Sequence, residues 1–264
     1  GGTLAGFLVG GWLFDYHSWM TSFYTNAMLY VAAATFMVPV VFAHRAPPAP
    51  VRIPEDPIRS EVRFFTRSIR DAVEFLRQSR EIRVSLVVQS GLFAVGGALS
   101  IVAIARVQEV SPAGKALFLS QVGAALIAGL ILGSAIIGLF RGHVVAERTV
   151  SVGTLLCGVA IAGLGRADTL IPLCIWAGLL GTAISPVFIV TETVLQDHSP
   201  RQFTGRVFAA REALIKAAYI ASAILATLIN TFISKTGLLV GLGLFLAMFG
   251  VILERTQWLK VEKS

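Results

Sequence analysis

Uncharged stretches long enough to cross hydrocarbon recur along the whole chain, and they constrain its fold more than any other feature. A helix rises about 1.5 Å per residue, so a core of about 30 Å takes roughly 20 apolar residues. Runs of about that size span Ser18–Ala43, Val84–Ala105, Ala116–Phe140, Thr149–Gly165, Thr169–Thr191, Ala217–Ser234 and Thr236–Leu253, and Gly1–Phe14 reads as the remaining end of another. Two of them, Thr149–Gly165 and Thr236–Leu253, are short and are expected to borrow flanking residues. A helix in a soluble core would carry a polar stripe of period 3.6, and these runs mostly lack one. Only 14% of the 264 residues are charged and the mean hydropathy is +0.77, where a soluble domain carries about a quarter charged residues. The expectation is an all-α, polytopic transmembrane bundle of seven complete spans and one truncated span. Because the chain opens at Gly1 inside a hydrophobic stretch, it is expected to be part of something longer.

The cations set the expected sidedness, since Lys and Arg gather in cytoplasmic loops. If each run crosses once, the segments 43–83, 141–148, 201–216 and 254–264 share one side and hold 18 of the 22 Lys and Arg residues. The other side keeps Arg106, Lys115, Arg166 and Lys235. This asymmetry places the carboxyl terminus in the cytoplasm and the chain in the plasma (inner) membrane. It also accounts for the net charge of +7 without a nucleic-acid partner; the expected partners are the lipid bilayer and a small molecule.

The long polar segment 44–83 opens with a proline-stiffened linker, Ala46-Pro47-Pro48-Ala49-Pro50. After Pro57, Val62, Phe65, Ile69, Val73 and Leu76 recur at spacings of three or four between Arg63, Arg67, Arg70, Arg77 and Arg80. That spacing predicts an amphipathic helix along the membrane surface, and a partner-binding helix fits the same pattern. Two spans precede this segment, within 1–43, and six follow it, within 84–253, before a short cytoplasmic tail at 254–264.

Polar residues inside hydrocarbon are costly unless paired or facing water, so each is a candidate for function. Gln89 and Gln121 are the deepest neutral ones, suited either to a cavity wall or to joining two helices. Glu192 closes its span near Gln196 and Asp197 and reads as a solvated or loop-pairing carboxylate. Glu212 and Lys216 stand four apart in the orientation that favours an intrahelical ion pair, either structural or a proton-sensitive gate with Glu212 titrating. Tyr219 and Asn230 lie further along. Ala213, Ala217 and Ala221, like Gly129 with Gly133 and Gly138 with Gly142, form small-residue stripes suited to close helix packing. Pro186, in mid-span, frees a carbonyl and allows a kink.

Gly2, Gly6, Gly10 and Gly11 follow the spacing of the glycine motif in the fifth helix of major facilitator superfamily exporters, with Phe7 where that motif has proline. Gly138, Arg141 and Arg148 fall where the family repeats a basic loop motif between its eighth and ninth helices. Ser199-Pro200-Arg201 through Gly205-Arg206-Val207-Phe208 resembles the loop before the eleventh helix of bacterial siderophore and macrolide exporters. The resemblance covers essentially the whole chain. It implies that 1–43 holds helices five and six, that 84–253 holds helices seven to twelve, and that helices one to four lie upstream.

The function so implied is secondary active export of a small amphipathic molecule by alternating access, coupled to an ion gradient, with protons the expected ion and no cofactor. The alternatives are a membrane scaffold or sensor using the arginine-rich helix, and an integral-membrane enzyme. Against an enzyme, His17, His44, His143 and His198 lie in loops or at span ends without metal-ligand spacing. The chain also has no Gly-x-Ser-x-Gly, nucleotide-binding lysine loop or Cys-x-x-Cys pattern, so neither a catalytic residue nor a metal site is assigned.

Overall fold

The computed structural model describes residues 9, 11–12, 14–16, 19–43, 80–110, 116–140, 145–198 and 204–256. The expected amphipathic helix, Gly2, Gly6, Gly10, Arg141, Gly142 and the tail beyond 256 lie outside the described residues. The helices are α1 (Trp19–Ala43), α2 (Arg80–Val110), α3 (Ala116–Leu139), α4 (Ala146–Arg166), α5 (Leu170–His198), α6 (Thr204–Ile229) and α7 (Lys235–Thr256). The described residues contain no strand. Six helices, α2 to α7, are long and apolar enough to cross a membrane, as a polytopic membrane helix bundle requires. Val9, Gly11, Trp12 and Phe14 to Tyr16 are also helical.

Two short apolar runs extend at both ends, giving α4 and α7. The run at Ala217–Ser234 does not match its helix. Helix α6 begins 13 residues earlier, at Thr204, and ends at Ile229, with Asn230 to Ser234 forming a turn before α7. Charge alone does not stop a helix, and Arg211 and Glu212 continue α6 because other side chains neutralise them.

Helices α2 to α7 pack as three tight pairs, α4 with α7, α3 with α5, and α2 with α6; α5 then joins the pairs through α4 and α2. Glycine makes each tight approach possible. A Cβ on Gly158 of α4 would meet the backbone of Gly243 and Ala247 in α7, and one on Gly243 would meet Gly158 and Ala162 in return. Gly129 and Gly133 of α3 stand against Gly178, Thr182 and Ser185 of α5, and Gly97 of α2 meets the carbonyl of Tyr219 in α6. Apolar side chains attract no more strongly than lipid tails do, so backbone-to-backbone proximity supplies much of the packing energy in hydrocarbon.

The other small-residue stripes behave differently. Ala213, Ala217 and Ala221 are all exposed, because α6 turns Val207, Ile215 and Ala226 inward. Gly138 faces open space. Neither stripe is buried among the described residues.

Pro186 lies inside α5, which continues through it. Lacking an N–H, Pro186 leaves the Thr182 carbonyl without its helical donor. That carbonyl faces Gly133, whose added Cβ would sit 2.5 Å from it, and Ser134 Oγ lies 2.7 Å from Ser185 Oγ one turn away. At one end of the bundle Arg80 Nη2 donates to the Thr256 carbonyl at 3.2 Å. At the other, the carboxylate of Asp15 accepts from the N–H groups of Ala116 and Leu117 at 2.9 and 2.6 Å. Those N–H groups open α3 and have no partner within it, so Asp15 caps a helix a hundred residues away. Gly11, one turn earlier, is buried against Ser120.

Gly158→Leu is expected to cost about 3 kcal/mol or more, since overpacking against backbone leaves nothing flexible to yield. Gly241→Ala, where an added Cβ meets nothing within 4 Å, is expected to be neutral or to stabilise by up to about 1 kcal/mol. Thermal unfolding of the two variants in detergent checks both.

Candidate functional site

Near the Arg80 end, where α2, α5 and α6 converge, lies a buried layer of polar side chains. Helix α2 presents Ile82, Ser85, Leu86 and Gln89, a helical i, i+3, i+4, i+7 series, all buried on one face. Helix α5 brings Thr191 and Glu192 beside the buried Val190 and Val194. On α6, Arg211 stands four residues after Val207 and four before Ile215, both buried, so it too points inward.

These residues form one hydrogen-bonded network. Gln89 is 0% exposed; its Nε2 donates to Thr191 Oγ1 at 3.0 Å and reaches Glu192 Oε2 at 3.5 Å. Arg211 Nε donates to Gln89 Oε1 at 2.5 Å, and Arg211 Nη2 pairs with Glu192 Oε2 at 2.6 Å. The guanidinium also stands 5.8 Å from the centre of the Phe208 ring, within cation–π range. Both ends of the Gln89 amide are satisfied, which fixes its orientation.

Burial governs the energetics. The side chain of Arg211 is 14% exposed and that of Glu192 is 32% exposed. Removing one partner of such a pair strands a charge in a poor solvent, whereas replacing both with apolar groups can be close to neutral. The layer lies between two apolar regions, with Ile82, Leu86, Leu195 and Val207 on the Arg80 side and the main core, including Val88 and Leu92, on the other. It is therefore a polar seam across a greasy bundle, with Arg211 as its only cation among the described residues.

The sequence-derived candidates divide around this seam. Gln89 is at its centre. Glu192, read from sequence as a solvated or loop-pairing carboxylate, is Arg211's ion-pair partner. Glu212 and Lys216 lie at its outer edge: Lys216 Nζ is 3.5 Å from Glu212 Oε1, Arg211 Nη1 is 3.9 Å from Glu212 Oε2, and Glu212 and Lys216 are both exposed. Tyr219 is half-buried eight residues further along α6, and its carbonyl accepts from Ser222 Oγ at 2.9 Å. Gln121 is half-buried near the start of α3, toward the opposite end of the bundle, and does not join the network. Arg148 is exposed at the start of α4.

Arg211 is the residue that sequence reasoning missed. Placing the span at Ala217 put Arg211 in a loop, although its four-residue spacing from Val207 and Ile215 carries the inward signal.

A second polar cluster closes the other end. Arg106 Nη2 pairs with Asp168 Oδ1 at 2.5 Å and donates to the Ala167 carbonyl at 3.3 Å, and Arg106 Nη1 lies 3.5 Å from Glu109 Oε2. Lys235 Nζ reaches Glu109 Oε1 at 2.5 Å. This cluster ties α2, the α4–α5 connection and α7 together, at more solvent-accessible positions than the seam.

No known protein family, curated protein or solved structure matches the chain. Functional inference therefore rests on this geometry and on the sequence.

Arg211→Gln and Glu192→Gln are each expected to destabilise by about 3 kcal/mol, the lower end of the range for a broken buried pair because Glu192 keeps some water. The double variant Glu192→Leu/Arg211→Leu is expected to lose less than the two single losses combined. A double-mutant cycle of melting in detergent measures the coupling.

Proposed function

We propose that the protein is a secondary active transporter, of the kind the major facilitator resemblance implies, exporting a small amphipathic molecule by alternating access with proton coupling. In this reading the Arg80 end faces the cytoplasm. The residues 44–83 form the cytoplasmic connection between two helical halves of a plasma-membrane carrier.

The observation that carries the proposal is the seam of Gln89, Thr191, Glu192 and Arg211. An arginine within a membrane helix costs several kcal/mol unless it is paired or hydrated, and a purely structural bundle would be cheaper with leucine at 211. Retaining a charged pair at the meeting point of three helices suits a protein that must make and break interhelical contacts. Next to the seam, α6 presents Glu212, Ala213, Lys216 and Ala217 away from the packed bundle. A face of small and charged residues is poorly suited to lipid and well suited to a watery path. Arg211 has two partners, Glu192 on α5 and Gln89 on α2, so a shift of α5 against α2 can exchange one for the other, which makes the Glu192–Arg211 pair the coupling candidate.

Efflux from cells producing the protein tests this. Cells preloaded with amphipathic fluorescent dyes are expected to lose at least one of them faster than control cells, and a protonophore should abolish the difference. Glu192→Gln, made at normal protein levels, is expected to remove the gradient dependence, and Gln121→Ala to weaken transport by altering the pathway wall. Identical dye movement in producing cells, variant cells and controls would instead favour a scaffold.

A further inference from the structure

Helices α3 and α4 follow one another in sequence, yet each packs along α5 and the two leave a groove between them. The groove has a volume of about 660 Å³ and is floored by the 176–186 stretch of α5. Its α4 wall is Val152, Leu156 and Val159, and the facing wall is Ile136 of α3 with Phe140 just past the helix end, all lining residues and all exposed. From Arg148 to Val159 the wall runs 11 residues, or roughly 16 Å. That is about half the thickness of the hydrocarbon, or one leaflet.

The ends of the groove differ. Arg148 lines it at the Arg80 end, is exposed, and makes no ion pair with any described residue. The neighbouring Glu147 does not line the groove. Toward the opposite end the lining is apolar, reaching Val159 and Trp176. An unpaired guanidinium over a leaflet-long apolar trough matches an amphiphile with an anionic head and an acyl tail. The exposed walls do not suit another helix. The protein's own helix contacts are made through glycine, whereas Val, Leu, Ile and Phe hold a second backbone away and interleave readily with flexible chains.

We infer that this groove is a binding site for an anionic phospholipid, with its phosphate on Arg148 and an acyl chain lying between α3 and α4. The site uses none of the seam residues and requires only that the bundle lie in a membrane. An arginine offers a phosphate two parallel donors, and the chain adds apolar burial that a free phosphate could not provide. The lipid thereby fills a gap that the helices leave open and braces α3 against α4.

Native mass spectrometry of the detergent-purified protein, titrated with phosphatidylglycerol or phosphatidylcholine, tests the inference. The protein is expected to retain phosphatidylglycerol in preference. Arg148→Gln should weaken phosphatidylglycerol binding about tenfold, as loss of a hydrogen bond between charged groups predicts, and leave phosphatidylcholine unchanged. Arg148→Lys should keep most of the preference, and Leu156→Trp, which fills the trough, should reduce retention of both lipids. Should Leu156→Trp fail to fold, Arg148→Gln at its exposed position decides the matter alone. Equal retention of the two lipids, undiminished phosphatidylglycerol binding by Arg148→Gln, or a dimer that Leu156→Trp dissolves would each overturn the inference.

Discussion

Helices in hydrocarbon gain little from burying one greasy side chain against another, because lipid offers the same surroundings. The bundle depends instead on places where backbone can touch backbone. Gly158 with Gly243, Gly129 and Gly133 with α5, and Gly97 with Tyr219 define three pairs of helices, and the rest of the architecture follows from those pairs. Since α3 and α4 are each committed to α5, the gap between them follows from the same pairing.

On this frame the polar groups fall in layers. The seam of Gln89, Thr191, Glu192 and Arg211 joins the α2–α6 pair to α5, and the cluster of Arg106, Glu109, Asp168 and Lys235 closes the far end. Both join charges across elements of the bundle, the far-end cluster adding the Arg106–Glu109 pair along α2. They differ in water content: the outer cluster is mostly solvated and contributes modestly, whereas in the inner one Arg211 is largely buried and Glu192 keeps some water.

Much of this architecture was legible in the residues. Apolar run length located the described helices, since hydrocarbon thickness imposes a length that few other folds need, and Gly129 with Gly133 marked a close approach. What failed did so because a charge was treated as a boundary. The uncharged run starts at Ala217 and the Glu212–Lys216 spacing carries the helix back only to Glu212, so the turns of α6 from Thr204 to Arg211 and its inward cation have no counterpart in the apolar pattern. The partner that makes Arg211 tolerable sits on α5, at Glu192, and no local pattern in α6 reveals it. The alanine stripe at 213, 217 and 221 failed for the opposite reason: small residues permit contact without requiring it. Gln89 was legible as a buried amide because little else explains a glutamine amid valines, but its role as the hub of a network depended on long-range contacts.

The central claim is that the small, charged face of α6 borders a watery path rather than lipid. Single cysteines at Ala213, Ala217 and Ala221, in a background with Cys157 and Cys174 replaced, report this directly through labelling in inside-out membrane vesicles with a membrane-impermeant thiol reagent. The account predicts labelling at 213 and 217 that a transported solute or a collapsed proton gradient changes at least severalfold. Labelling by lipid-soluble reagents alone, indifferent to solute and gradient, would contradict it.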